Sequence, residues 1–229
     1  MLDLAREQYM TILGMHPGYT AAWINLSSVQ EKQGLMQEAE DSMMRAMASD
    51  KDSPVAPSHL GLFLLRQGRV QEAERALSIA LQRDPGWANA HFGLGLVAEA
   101  KGEEDEALSR FQEAARRNPL DLEAHLKAAS ILLKKGNQEG AIRHLRSAAK
   151  AAPTRGEIFL ELGSLLNATG RWRAAQEAFE RALHLGMDQA VCHAALSQIH
   201  ERMALEERLA YEKILLERAT QEESGRKVP

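Results

Sequence analysis

Along this chain the apolar residues return in two alternating stripes, each spaced as one face of a helix. One stripe has i, i+4, i+7 spacing and reads Ala39, Met43, Ala46; then Ala73, Leu77, Ala80; Ala107, Phe111, Ala114; Ala141, Leu145, Ala148; and Ala175, Phe179, Ala182. The other stripe lies upstream and carries Leu26 and Ser27, Leu60 and Gly61, Leu94 and Gly95, Ala128 and Ala129, Leu162 and Gly163, and Leu196 and Ser197. Both recur every 34 residues, as do Gly34, Gly68, Gly102, Gly136 and Gly170 between them. A glycine at one fixed phase predicts a turn joining two helices, and the small alanines let those helices approach closely. Pro17, Pro85, Pro119 and Pro153 fall at one further phase and stop the second helix of a unit; Lys51 and Met187 stand there in two units.

The pattern predicts six helix pairs, beginning near Thr20, Pro54, Ala88, Leu122, Gly156 and Ala190. A half unit over residues 1–17 precedes them, with Ala5, Tyr9, Ile12 and Pro17 matching only a second helix. It is expected either to be cut from a longer array or to cap the stack alone. The sixth pair is irregular, because Ala204 replaces the turn glycine and the next helix regains phase only if two residues are dropped, which puts Glu207, Tyr211 and Ile214 in the stripe. That helix is expected to cap the C-terminal end, and the cluster Ile214, Leu215 and Leu216 is more apolar than a cap needs. Residues 220–229 are polar and expected to be a disordered tail.

With its large, small, small, aromatic, small and proline slots, the sequence resembles the tetratricopeptide repeat over residues 1–219. Trp23 and Phe159 fill the aromatic slot of the first helix, His91, His125 and His193 occupy it in other units, and Pro57 departs from it. The resemblance implies an all-α fold, a right-handed superhelical solenoid of antiparallel helix pairs in one domain. About six repeats and an N-terminal half repeat would make it up.

Composition narrows the function. Hydrophobic residues at 45% and charged residues at 26% suit a folded chain, while 5% aromatics argue against sheets. A net charge of -4 offers no surplus to neutralise phosphates, so no nucleic-acid partner is expected. No apolar run is long enough for direct membrane insertion, and no export signal opens the chain, which is expected to be cytoplasmic as written unless a signal precedes it. Cys192 is the sole cysteine, so the chain forms no internal disulfide.

Four patterns invite a chemical reading and lose it in context. Gly93, Gly95 and Ala98 match a dinucleotide-binding turn, but no strand precedes them and Gly95 is in register with Gly61 and Gly163. Cys192, His193 and His200 lack a third helical ligand, and the slot histidines read as packing residues. Glu103 to Glu106 open a second helix, where acids offset the helix dipole. Asn25-Leu26-Ser27 and Asn167-Ala168-Thr169 match glycosylation acceptors, but both fall inside predicted helices. No nucleophile motif occurs, so the chain is expected to be no enzyme and to need no cofactor or metal.

The resemblance also implies that the first helices line a concave groove. Its rows read Ile24, Ser58, Phe92, Leu126, Leu160, Ala194; then Ser28, Leu62, Leu96, Ser130, Ser164, Gln198; then Glu31, Leu65, Glu99, Leu133, Asn167, Glu201. The partner-binding candidates are Leu62, Leu65, Phe92, Leu96, Leu126, Leu133 and Leu160, flanked by Lys127 and Glu161. Neither the basic and asparagine carboxylate clamp of co-chaperone modules nor the asparagine ladder of O-glycosyltransferase arms appears in these rows. The expectation is a non-catalytic scaffold or adaptor that holds a helical or extended peptide segment of a protein partner. Alternatives are a substrate-presenting arm of a larger enzyme such as a glycosyltransferase, and a scaffold that assembles as a homo-oligomer through its terminal helices.

Overall fold

The computed structural model describes residues 1–225, with side-chain surroundings for residues 1–214. Among the described residues there are twelve helices and no strand. They are α1 (Leu2–Met15), α2 (Thr20–Lys32), α3 (Met36–Ser49), α4 (Val55–Arg66), α5 (Val70–Arg83), α6 (Ala88–Lys101), α7 (Glu104–Arg117), α8 (Leu122–Lys134), α9 (Gln138–Ala151), α10 (Gly156–Ala168), α11 (Trp172–His184) and α12 (Gln189–Gly225). The fold is an all-α helical repeat solenoid.

The turn glycines have φ between +72° and +79° at Gly34, Gly68, Gly102, Gly136 and Gly170, a region that side chains with a Cβ rarely enter. The left-handed step lets the next amide reach back into the helix just ended, as in Leu35 N–H to the Gln30 carbonyl at 2.9 Å and Glu103 N–H to the Ala98 carbonyl at 2.9 Å. At the far end of the second helices, an Asx turn reinforces the stop: Asp84 Oδ1 accepts from Gly86 N–H at 2.8 Å. Asp50 does the same where Lys51 replaces proline, accepting from Asp52 N–H at 3.2 Å and from Ser53 N–H at 3.0 Å. Where Met187 replaces it, Gly186 at φ +82° ends α11.

The chain divides into two compact units, Met1–Ile131 and Leu132–Pro229, with the boundary inside α8. In the first unit α2 packs on α3, α4 on α5 and α6 on α7, and α1 also meets α2, α3 meets α4 and α5 meets α6. Neighbouring first helices touch as well, α2 with α4 and α4 with α6. The core lies between layers, in clusters around Met43, Phe63 and Leu77 and around Phe111 and Ile131. Burying one such side chain stabilises by about 1.5–3 kcal/mol. A Cβ at Gly61 would stand 2.5 Å from Leu77, and one at Gly95 would stand 2.6 Å from the Phe111 ring, so the small slot admits the large side chain of the same pair. In the second unit α10 packs against α9 and α11, and α11 against α12. Phe179 fills the space above Gly163, and Cys192 and Ile199 are fully buried.

The C-terminal element departs from expectation. Instead of a sixth pair turning near Ala204, α12 is one continuous helix of 37 residues that carries on through Gly225, into the stretch expected to be disordered. Without glycine nothing breaks the backbone there, and the alanine, leucine and glutamate that follow favour helix. Trp172 and Arg202 hold the continuation in line: Trp172 Nε1 donates to Glu206 Oε1 at 2.6 Å, and the Arg202 guanidinium lies 5.1 Å from the Trp172 ring. Residues 204–214 are exposed, Ile214 among them. The side chains of Leu215 and Leu216 lie outside the described residues, as does the structure of residues 226–229.

Candidate functional site

In the first unit, three first helices present the predicted strip. The 34-residue register places Leu62 and Leu65 on α4, Phe92 and Leu96 on α6, and Leu126 and Lys127 on α8. All five apolar members are half-buried. Leu65 packs against the cluster around Leu77, and Phe92 and Leu96 pack against the cluster around Phe111, the two rings tilted at 52° with centroids 5.6 Å apart. Leu65, Phe92 and Leu96 are thus anchored by a core edge and keep an apolar edge toward water. Two residues of the first row do not join the strip: Ile24 and Ser58 are buried, at 8% and 1% exposure. The Ser58 hydroxyl has no hydrogen-bond partner.

Charges beside the strip are matched within the protein. Arg66 makes a forked contact to Glu31, Nε to Oε1 at 2.7 Å and Nη2 to Oε2 at 2.8 Å. Lys127 Nζ reaches Glu99 Oε2 at 2.6 Å, so this predicted site residue pairs with the neighbouring first helix. His59 is half-buried, and burial, then the Arg66 charge, lowers its pKa and favours the neutral ring. These cross-helix pairs escaped sequence reasoning, although opposite charges about one repeat apart were a legible signal.

In the second unit, Leu133 in the last turn of α8 and Leu160 on α10 are half-buried. Glu161 keeps a face to water, yet enough of it is stripped from the carboxyl to raise the pKa. Ala194, in the same row on α12, is exposed.

The aromatic slot performs a structural task. Trp23 Nε1 donates to the Pro17 carbonyl at 2.8 Å, and the ring Nε2 atoms of His91 and His125 lie 3.0 and 3.2 Å from the Pro85 and Pro119 carbonyls. Phe159 has no such group, and Arg181 takes its role, donating to the Pro153 carbonyl at 3.2 Å while lying 5.9 Å from the Phe159 ring. His193, in the same slot, is exposed. Gly93 and Gly95 lie inside α6 against Leu77 and Phe111, as packing residues do. The Cys192 thiol is pushed up by burial and by the Asp188 charge, which suppresses the reactive thiolate. Among the described residues no three His, Cys, Asp or Glu groups gather as metal ligands, and no helix is long and apolar enough to cross a membrane.

Known structures share this arrangement. The structure of YrrB, a TPR protein with an unusual peptide-binding site, matches with a TM-score of 0.56 at 18% identity, over 83% of this chain and 98% of that one. The APC/C hetero-tetramer Cut9–Hcn1 matches with a TM-score of 0.62 at 15% identity, over 87% of this chain but 39% of that one. A tetratricopeptide repeat protein from Parabacteroides merdae matches with a TM-score of 0.55 at 17% identity, over 87% and 78% of the two chains. At these identities the likeness is one of fold. No curated protein matches the sequence. Three family models, each described as tetratricopeptide repeat, match residues 20–53, residues 60–109 and 105–155, and residues 132–199. With turn glycines, paired helices and slot residues all at the 34-residue period, the chain belongs to the tetratricopeptide-repeat family.

Proposed function

We propose that this protein is a non-catalytic scaffold that holds an apolar peptide segment of a protein partner on the first helices of its first unit. The observation that carries the reading is the strip of Leu62, Leu65, Phe92, Leu96 and Leu126, half-buried on three consecutive first helices with its neighbouring charges neutralised in pairs. Side chains anchored at one edge, as Leu65, Phe92 and Leu96 are, lose little freedom on binding, and the contact the strip offers is dispersion and hydrophobic burial. With Arg66 and Lys127 already paired, a charged ligand would have to break an existing contact, so the strip favours uncharged apolar side chains on a helix or an extended strand. A peptide-binding site in the structurally similar YrrB is in keeping with this use of the fold.

Selection from a displayed random-peptide library, followed by titration of the enriched peptides, tests the reading. Enrichment of apolar peptides is expected, with a loss of at least about tenfold in affinity for the Leu62→Glu, Leu126→Glu double variant at unchanged helicity. Affinity should also change by less than about twofold as salt screens surface charge. Equal binding by the double variant, or a steep salt dependence, would remove the strip from the site.

A further inference from the structure

Gln30 opens a row that is apolar in the next four units and ends at the exposed His200. At the same phase stand Leu64, Ala98, Leu132 and Leu166, all buried, whereas Gln30 is buried as a carboxamide at 5% exposure. Ser42, at 4% exposure, donates its hydroxyl to Gln30 Oε1 at 2.7 Å, and Gln30 Nε2 donates to Glu38 Oε2 at 3.3 Å. A buried carboxamide and hydroxyl do less for folding than the hydrocarbon found in those four units. The members of this relay, Gln30, Ser42 and Glu38, all line a cleft of about 550 Å³ between α1, α2 and α3. Met10, Leu13, Leu26 and Trp23 supply its apolar surface.

The spare capacity of the relay is for accepting hydrogen bonds. Gln30 Oε1 and Ser42 Oγ retain lone pairs, and the Glu38 carboxylate meets only the long amide contact. Neither Glu38 nor Asp41, which also lines the cleft, forms an ion pair among the described residues. A pocket of this size with apolar walls and a few converging acceptors suits a small group with a hydrocarbon body and a donating head. We propose that the cleft binds a primary ammonium on an aliphatic stem, with its three N–H groups shared among Glu38, Gln30 Oε1 and Ser42 Oγ. The stem lies against Leu13, Leu26 and Trp23. A lysine side chain of a partner peptide and a free alkylamine share this chemistry. Arg6 and Arg45 also line the cleft, the Arg45 guanidinium 5.1 Å from the Trp23 ring, and both carry the ligand's own sign of charge, so both oppose binding.

Calorimetric titration of the full chain with hexylamine, hexanol and the peptide acetyl-Ala-Lys-Ala-amide tests the assignment. At least one of the two amines is expected to bind, with hexanol weaker by about tenfold or more. Glu38→Gln and the double variant Gln30→Leu, Ser42→Ala should each weaken amine binding by about tenfold, and Arg6→Ala should strengthen it. Glu38 is exposed, so its variant remains informative even if the core double variant fails to fold. Tighter binding of the peptide than of hexylamine assigns a lysine side chain, and the reverse order assigns a free amine. The groove variant Leu62→Glu, Leu126→Glu should leave amine affinity unchanged, so failure of the groove reading and failure of this one are separable. Hexanol equal to hexylamine, an unaltered Glu38→Gln, or no binding of either amine would overturn the proposal.

Discussion

Individual side chains here are fixed by what faces them, and Gly95 illustrates the point. A Cβ there would stand 2.6 Å from the Phe111 ring, which is fully buried and has nowhere to go. Alanine is the better helix former by about 1 kcal/mol, but overpacking a filled core costs about 1–3 kcal/mol, so Gly95→Ala is expected to lower stability by up to about 2 kcal/mol. Urea unfolding measures this, and Phe111→Leu in the same chain should recover part of the loss if the ring is the cause. His59 supplies the pH dependence at this scale. Its folded pKa is below the ordinary 6.5, first through burial and then through Arg66. Above 6.5 the ring is neutral in both states and its contribution is full. As pH falls through 6.5, the unfolded chain takes up the proton first and stability declines, until below the folded pKa the loss is complete. Unfolding midpoints at roughly pH 8 and pH 5.5 should therefore differ less for His59→Gln than for the parent.

At the scale of the element, the decisive difference lies between helices that stop and one that does not. The first five pairs were legible because their turn glycines hold φ near +75° and cannot be replaced cheaply, so the backbone requirement is written in the sequence at Gly34, Gly68, Gly102, Gly136 and Gly170. α12 was not, because Ala204 permits both a continuation and a distorted turn, and a contact decides the matter: Trp172 with Glu206 and Arg202. Spin labels at positions 193 and 211 should lie about 27 Å apart along a continuous helix rising about 1.5 Å per residue, and about 15 Å or less if the helix folds back. Trp172→Ala should broaden that distance distribution. A short, sharp distance in the parent chain would instead restore the sixth pair. The candidate strip was legible for the same reason as the pairs, since register fixes the face on which Leu62, Phe92 and Leu126 lie. Register does not say how deeply neighbours cover that face, which is why Ile24 and Ser58 are buried members of a row expected to be open.

At the scale of the whole molecule, stability in a repeat array is a sum over neighbours, so it follows how many neighbours each helix has. α4 meets α2, α3, α5 and α6, and its Leu60, Phe63 and Leu64 are buried. α1 packs on α2, and Leu13 is its buried residue. Residues 204–214 of α12 are exposed throughout. Local opening should cost least where the fewest apolar contacts are lost, so amide hydrogen exchange should be slowest in α4 and α6, faster in α1, and fastest in residues 204–214. A variant in the α4 core, such as Phe63→Ala, should lower stability by about 3–5 kcal/mol and accelerate exchange in the helices α4 touches. The exposed stretch of α12 gives the sharpest outcome. If Leu205, Leu209 and Tyr211 stand free, their amides should exchange at rates independent of protein concentration. Protection that rises with concentration would mean that a second copy covers them, and the protein would then assemble through α12.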